Sequence, residues 1–319
     1  MIVHTPTEQS ECVRPQNAGA APNGIDRPNR DAATVVGHRF GISKLSDETD
    51  ARIYGMVRDV ARQIAIAELA AEGHRGIAKA DQDRTEKLAS DLFRVPEFIE
   101  FCFGQACEWR LSEDRTRPHG EDGINSPLLQ ALIASENARV AQTAMMTLAA
   151  QARFVRAKGR MALPVAELPA QLFVQVLECW KASSHPRRSD SAVRTEAKLR
   201  NAFDEGRRRL TLLSRLVAGL RDTAITLPRF DQMGIALFFS ALATRTGYPR
   251  TELLVFANGY RTRQFCLALR AAGLDRNQIL DTFEHLALAT YGLADAMEIG
   301  SEEARSLLAA PVSPASAAQ

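Results

Sequence analysis

The residues of this chain that most readily perform chemistry are its five cysteines and six histidines. The closest cysteine pair, Cys102 and Cys107, lies five residues apart, so on a helix the two thiols point about 140° away from each other. Zinc ligands must converge on one point, and His119 and His185 lie in separate predicted loops that do not complete such a site. We therefore expect no metal, and we interpret the cysteines as structural thiols. An odd number scattered through a long chain indicates reduced cysteines: Cys12, Cys102, Cys107, Cys179 and Cys266.

Known catalytic and nucleotide-binding motifs are absent from the sequence. None of GxSxG, HExxH, GxGxxG and GxxxxGK[ST] occurs. The glycine pair Gly73 and Gly76 follows a predicted helix, whereas a phosphate-cradling loop would follow a strand. No histidine is set in a turn that would present it to a nucleophile. The sequence supports no recognised enzyme class and no cofactor, and an enzyme of unrecognised class stays open as an alternative.

Charge is distributed unevenly along the chain. The whole sequence has a formal net charge of +2, which is too small to indicate a nucleic-acid or membrane partner by itself. The segment 187–221, however, carries ten Lys and Arg against four Asp and Glu. The candidate partner-binding residues in this basic segment are Lys198, Arg200, Arg207, Arg208 and Arg209.

The basic segment allows two interpretations. Its arginines could bind an acidic protein or the phosphates of a nucleic acid. Alternatively, they form a solvated rim around an apolar seam, because Arg207, Arg208 and Arg209 are each rotated about 100° from the last around a helix axis. Asp204 and Glu205 also interrupt the positive run.

A second possible nucleic-acid element is the segment LALRAAGLDRNQIL, which has the glycine spacing of a helix-turn-helix. The same residues are also typical of two stacked helices, with Gly273 ending the first and Asp275 capping the second. The would-be recognition helix carries Asp275, Asp281 and Glu284 against Arg276, and phosphates would repel it. The pattern favours stacked helices.

The elements that must position these residues are all helical. Apolar residues recur at three- and four-residue spacing between Asp47 and Glu72, and again in one long predicted helix from Leu199 to Leu220. Ser126 followed by Pro127 is a helix start. No stretch shows sustained strand alternation. We therefore predict an all-α, multi-helical array, HEAT-like or an irregular α-solenoid, with disordered termini.

Proline, glycine and charge clusters suggest the following boundaries. Residues 1–45 form a disordered arm, 46–111 an N-terminal helical segment, 112–125 a linker, 126–292 a helical domain and 293–319 a weakly ordered tail. No apolar run reaches the roughly 18 residues that a membrane span needs. The N-terminus also lacks the apolar region of a signal peptide, so we expect a cytoplasmic protein.

Four segments taken in order carry a family resemblance: QARF (151–154), LPVAELPAQLF (163–173), FDEGRRRLTLLSRLV (203–217) and LALRAAGLDRNQI (267–279). Over about residues 126 to 290 the chain resembles a bacterial helical family, domain of unknown function 2336, found mostly in alphaproteobacteria. The resemblance implies an all-helical, HEAT-like array in a bacterial cytosolic protein and brings no catalytic residue, cofactor or ligand. Other members often have Tyr before Asp-Glu-Gly, where this chain has Phe203, so a role for that hydroxyl is excluded.

These patterns together predict a non-enzymatic scaffold or regulator whose partner is another protein. The first alternative is a nucleic-acid-associated regulator that uses segment 187–221, and the second is an enzyme of unrecognised class. The sequence leaves the oligomeric state open.

Overall fold

The computed structural model of the protein describes residues 29–73, 79–119, 126–184, 189–221 and 229–309. These residues form α-helices, short 3₁₀ turns and one π-helical turn, and they contain no β-strand. The predicted all-α array is therefore confirmed, while its HEAT-like repeat stays a prediction. None of the described helices is long and apolar enough to cross a bilayer. The helices are α1 (Asn29–Phe40), α2 (Asp47–Ala71), α3 (Lys79–Leu92), α4 (Pro96–His119), α5 (Pro127–Ile133), α6 (Ala138–Lys158), α7 (Ala170–Ser184), α8 (Asp190–Ala202), α9 (Arg209–Arg221), α10 (Phe230–Thr246), α11 (Arg250–Val255), α12 (Thr262–Ala271), α13 (Arg276–His285), α14 (Ala294–Glu298) and α15 (Ser301–Ala309).

Several helices begin and end where the sequence predicts. The Ser126 hydroxyl accepts a hydrogen bond from the Leu129 N–H at the start of α5. Asp275 forms a reciprocal capping box with Gln278 at the start of α13. Gly273, with φ +89°, ends the turn that follows α12, a backbone conformation that favours glycine. These contacts give Gly273 and Asp275 the roles expected for two stacked helices.

The hydrophobic core is one continuous cluster that contains residues from α1 through α15. Helix α4 lies at its centre and packs against α1, α2, α10 and α11. Phe98, Phe103 and Trp109 on α4 are almost fully buried. Because α4 contacts both early and late helices, the predicted segments 46–111 and 126–292 share a single core.

The predicted N-terminal arm, 1–45, is too long. Residues 29–40 form α1, in which Ala32, Val36 and Phe40 are buried at four-residue spacing. Phe40 packs against Phe103, and its carbonyl accepts a hydrogen bond from Arg261 at 2.6 Å. Three apolar residues are too few to reveal this helix by periodicity, and its partners lie far along the chain. The remainder of the predicted arm, 1–28, lies outside the described residues.

The predicted linker, 112–125, is wrong over 112–119, where α4 continues. Glu113 accepts a hydrogen bond from Arg52 and forms an ion pair with Lys158, so charged residues bind this turn to α2 and α6. Residues 120–125 lie outside the described part of the chain.

The predicted tail, 293–319, is likewise too long. It contains α14 and α15, and α15 packs on α12. Ala304 and Leu308 are buried, and the Tyr248 hydroxyl donates a hydrogen bond to the Leu308 carbonyl at 2.9 Å. Residues 310–319 lie outside the described residues.

Candidate functional site

The basic segment forms two helices rather than the one long helix expected. Helix α8 ends at Ala202 and α9 begins at Arg209, with a 3₁₀ turn at Glu205–Arg207 between them. Phe203 stacks on Phe173 with ring centroids 4.2 Å apart. The Asp204 carboxylate accepts a hydrogen bond from the Gly206 N–H at 2.9 Å. At this break Arg208 and Arg209 are buried, whereas Arg207 in the 3₁₀ turn is exposed.

Arg209 is buried, with 2% of its surface exposed. Its guanidinium donates two parallel hydrogen bonds to Glu108, from Nη1 to Oε1 at 2.7 Å and from Nη2 to Oε2 at 2.6 Å. The guanidinium carbon lies 3.7 Å from the centre of the Phe154 ring, a cation–π arrangement. Gln151 and Gln105 accept further hydrogen bonds from the guanidinium. Arg209 is therefore a structural centre that joins α4, α6 and α9.

Glu108 is shared by two arginines. Besides Arg209, it accepts hydrogen bonds from Arg250 Nη2 and Nη1 at 2.8 and 3.0 Å. Burial by itself would raise the pKa of Glu108, but Arg209 and Arg250 outweigh it and hold this pKa far below its usual range. The carboxylate is therefore ionised, and four N–H groups occupy it.

Two of the five residues predicted to form the basic surface, Arg208 and Arg209, are buried in the structure. Arg208 is buried like Arg209, and donates hydrogen bonds to the Glu167 carbonyl at 3.3 Å and to Glu205 at 3.0 Å. Burial lowers the pKa of Arg208. Both interpretations of the basic segment, a binding surface and a solvated rim, are wrong for Arg208 and Arg209, because both side chains are buried and paired with Glu205 and Glu108.

The other three predicted residues are exposed. Arg207 has a side chain that is 75% exposed and lies 3.9 Å from Asp204. Arg200 pairs with Glu196 at 2.8 Å, and Lys198 is exposed on α8. Arg187 and Arg188 lie outside the described residues. Two of these three exposed cations thus have an acidic neighbour, Arg200 at 2.8 Å and Arg207 at 3.9 Å.

A cavity of about 570 Å³ lies beside Arg209, and we call it the Trp109 cavity. Its walls come from α4, α6, segment 162–167 and the start of α9, and this volume is in the range of small-molecule sites. Apolar side chains form most of the wall, including Trp109, Met146, Phe154, Leu163, Pro164 and Leu210. Ala149 and Arg153 lie at its exposed edge on α6.

Trp109 has an unusual property within this wall. Only 1% of the residue is exposed, yet its indole N–H has no hydrogen-bond partner among the described residues. The other tryptophan, Trp180, is also buried, and its N–H donates to Glu68 at 3.2 Å. Buried donors are nearly always paired, but this nitrogen has under 1 Å² of accessible surface, so it is closed to a molecule in the cavity.

The charged groups that line the Trp109 cavity have both signs, because Glu167 and Asp204 lie in the same wall as the arginines. Glu167 accepts a hydrogen bond from the Arg209 backbone N–H at 2.8 Å, and Asp204 is engaged by Gly206. Arg153 is exposed and makes no ion pair with any described residue. Together with Arg207 it supplies two weakly engaged guanidinium groups at the cavity.

The cysteines and histidines in the described part of the chain contribute no metal-binding cluster. Among the described residues, no group of three or more His, Cys, Asp or Glu could hold a metal ion. Cys102, Cys107 and Cys266 are buried free thiols. Burial raises the pKa of Cys266 to about 11 and also raises the pKa of Cys179 to about 11, which disfavours the reactive thiolate.

Sequence reasoning missed Glu108, Trp109 and Arg250. Glu108 and Arg209 are 101 residues apart, so no local spacing could join them. The QARF segment contains Gln151 and Phe154, which both contact Arg209, and Arg153, which lines the cavity. That short segment is the available signal, and in the sequence it indicates only a helix and part of the family resemblance.

Comparison with protein-family models, with curated proteins and with solved structures finds no match for this chain. The resemblance to domain of unknown function 2336 therefore stays a prediction.

Proposed function

We propose that this protein is a non-enzymatic helical scaffold or regulator and that the Trp109 cavity is its binding site. The observation that carries the proposal is a cavity of about 570 Å³ with a mostly apolar wall, a size in the range of ligand sites. A bound molecule would remove this apolar wall from water. The family resemblance, which implies no catalytic residue, agrees with a binding role.

The wall of the cavity is preorganised. Arg209 is fixed by Glu108, by two glutamines and by the Phe154 ring. Arg250 donates two further hydrogen bonds to the Glu108 carboxylate. A site whose side chains are already held in place loses little conformational entropy when it binds a ligand. This rigidity supports recognition of a ligand by a preformed surface.

The acids near the cavity favour binding over acid–base catalysis. A general base needs a free lone pair and a pKa near the working pH. Glu108 is occupied by four N–H groups and has a strongly lowered pKa. Glu167 and Asp204 accept backbone hydrogen bonds.

The nucleic-acid alternative has less support from the geometry. Two of the five candidate cations, Arg208 and Arg209, are buried and paired. Another, Arg200, shares Glu196 with Lys181. A phosphate-binding surface needs several exposed cations in a continuous arrangement, and the described part of this segment offers few.

A cytoplasmic location and a protein partner remain part of the proposal. Cys102, Cys107, Cys179 and Cys266 carry free thiols, as is usual in a reducing compartment. The exposed edge of the cavity, at Ala149 and Arg153, gives access from solvent to a free ligand or to a side chain of a partner.

The test is retention of native molecules by the full chain. Ala149→Trp adds an indole at the cavity edge with little effect on the core, because Ala149 is exposed. Met145→Trp is the matched control, since Met145 is exposed on the same helix but does not line the cavity. Immobilised wild type, Ala149→Trp and Met145→Trp are incubated with extract of the native host, and retained small molecules and proteins are identified by mass spectrometry. We expect wild type and Met145→Trp to retain a molecule that Ala149→Trp loses. Equal retention by all three would contradict the proposal.

A further inference from the structure

We propose that Asp59 and Gln63 on α2 are positioning residues of the Trp109 cavity, because they hold one of its walls, segment 162–167, in place. This inference rests on the proposed binding function and names two residues on which that function depends. The members of the wall segment that line the cavity are Ala162, Leu163, Pro164, Ala166 and Glu167. Asp59 and Gln63 do not line it, so both act on a bound molecule only through this wall.

The wall segment lacks most of the hydrogen bonds of a regular helix. It lies between α6 and α7, where Pro164 and Pro169 have no backbone N–H and interrupt helical structure. Its regular structure is one 3₁₀ turn, Val165–Glu167. Leu163 and Val165 are nevertheless buried, with 4% and 7% of their surface exposed. Buried backbone N–H and C=O groups need hydrogen-bond partners, so this wall requires partners from another part of the chain.

Asp59 and Gln63 supply these partners from α2. The Leu163 N–H donates a hydrogen bond to Asp59 Oδ2 at 3.0 Å. The Leu163 carbonyl accepts one from Gln63 Nε2 at 2.8 Å, and the Val165 N–H donates to Gln63 Oε1 at 3.0 Å. Gln63 Nε2 also donates to Asp59 Oδ2 at 2.7 Å. Residues four apart share one face of a helix, so one face of α2 pairs three backbone groups of the wall.

The other end of the wall is held by the start of α9. Glu167 Oε2 accepts a hydrogen bond from the Arg209 N–H at 2.8 Å, and the Glu167 carbonyl accepts one from Arg208 at 3.3 Å. Loss of the contacts with α2 therefore frees the Leu163 end of the wall while the Glu167 end stays attached. A wall that is mobile before binding must be ordered by the bound molecule, and this ordering lowers the affinity.

The experiment measures binding of N-phenyl-1-naphthylamine, an uncharged apolar fluorescent probe, to the full chain by fluorescence titration. We expect Gln63→Ala to bind the probe about tenfold more weakly than wild type, the effect of roughly one lost hydrogen bond. Arg62→Ala is the matched control and should bind like wild type, because Arg62 is exposed on the same helix. Asp59→Ala should also weaken binding. Asp59→Asn should restore it, because the asparagine carbonyl still accepts the Leu163 N–H.

Two further measurements distinguish a local role from general destabilisation. Leu308→Ala removes a buried side chain on α15, outside the cavity wall, and should bind the probe like wild type while it is folded. Amide hydrogen exchange of the ligand-free proteins should be faster at the Val165 N–H in Gln63→Ala and unchanged there in Leu308→Ala. Unchanged probe binding or unchanged Val165 exchange in Gln63→Ala, or equal weakening in Leu308→Ala, would overturn the inference.

The outcomes also separate the inference from the proposed function. If Ala149→Trp loses the probe and a native molecule from the extract while Gln63→Ala retains both, the proposed function stands and the inference is wrong. If Ala149→Trp retains everything that wild type retains, the proposed function fails and the inference fails with it.

Discussion

Arg209 and Glu108 form a bidentate ion pair with N–O distances of 2.6 and 2.7 Å, and both side chains are almost completely buried. Arg250 completes the arrangement from α11. Removing two charges from water is costly unless geometry and hydrogen bonds compensate, and here every oxygen of the carboxylate is occupied. Arg209 belongs to the basic segment, but through this pair it forms a buried contact between α9 and α4.

Replacing Arg209 should destabilise the fold far more than replacing Arg207. Arg209→Gln leaves Glu108 with one fewer partner in the core, and breaking a buried pair costs about 3–5 kcal/mol. Arg207→Gln removes an exposed charge and should change stability by no more than about 0.5 kcal/mol. Urea unfolding followed by circular dichroism measures both. Similar effects of the two substitutions would show that Arg209 is not a structural centre.

The stability of the fold should depend on pH through Glu108. Its folded-state pKa lies far below the usual value of 4.5, so the stabilisation is complete well above 4.5. It is lost progressively as pH falls below 4.5 toward the folded pKa, because the unfolded chain takes up the proton first. Urea unfolding of wild type and Glu108→Gln should therefore converge as pH is lowered from about 6 to about 3. The other acids with shifted pKa values are present in both proteins, so they affect both pH profiles equally. If the unfolding free energies of wild type and Glu108→Gln stay the same distance apart at every pH, the lowered pKa of Glu108 is contradicted.

Much of the local structure could be predicted from the sequence, as the caps at Ser126 and Asp275 illustrate. Those contacts join residues three positions apart, so the sequence contains all the information they need. The site could not be predicted in the same way. Arg208 and Arg209 look like surface residues in any local window, and the contacts that accompany their burial lie far along the chain, at Glu167 for Arg208 and at Glu108 for Arg209.

The two tryptophans should respond differently to loss of their N–H. Trp180→Phe removes a hydrogen bond to Glu68 and leaves that carboxylate without this donor, whereas Trp109→Phe removes a donor that has no partner among the described residues. Both substitutions replace a buried indole with a smaller ring, so the stability lost through the empty space is similar in the two variants. We expect Trp180→Phe to cost about 1–3 kcal/mol more. Thermal or urea unfolding of the ligand-free proteins checks this difference, and an equal cost would mean that Trp109 is paired.

Replacing Gly104 and Gly219 with alanine should change the free energy of unfolding in opposite directions. A Cβ on Gly104 in α4 would lie 2.8 Å from Thr251 Oγ1, whereas a Cβ on Gly219 in α9 would meet nothing within 4 Å. Gly219→Ala should stabilise the protein by about 0.5–1 kcal/mol through helix propensity. Gly104→Ala should destabilise it, because α4 and α11 must separate. Chemical denaturation measures both, and stabilisation by Gly104→Ala would show that these helices are not in close contact.

The buried face of α9 gives a further test. Leu213 is fully buried and Leu307 on α15 is 46% exposed. Leu213→Ala should cost about 2–5 kcal/mol, because the surrounding core only partly fills the space that is left. Leu307→Ala is the matched control and should cost clearly less. A harmless Leu213→Ala substitution would mean that the wrong face of α9 has been assigned to the core.

The contact between α1 and Arg261 has a consequence for how the protein is made. Phe40 accepts its hydrogen bond from a residue 221 positions further along the chain. At a synthesis rate of about 5–20 residues per second, α1 leaves the ribosome on the order of 10–40 s before that partner exists. During this interval α1 can already pack on α2 and α4, which lie in the first half of the chain, while the Phe40 carbonyl still lacks its native donor. The first helices can therefore assemble around α1 before the hydrogen bond from Arg261 joins the second half of the chain to them.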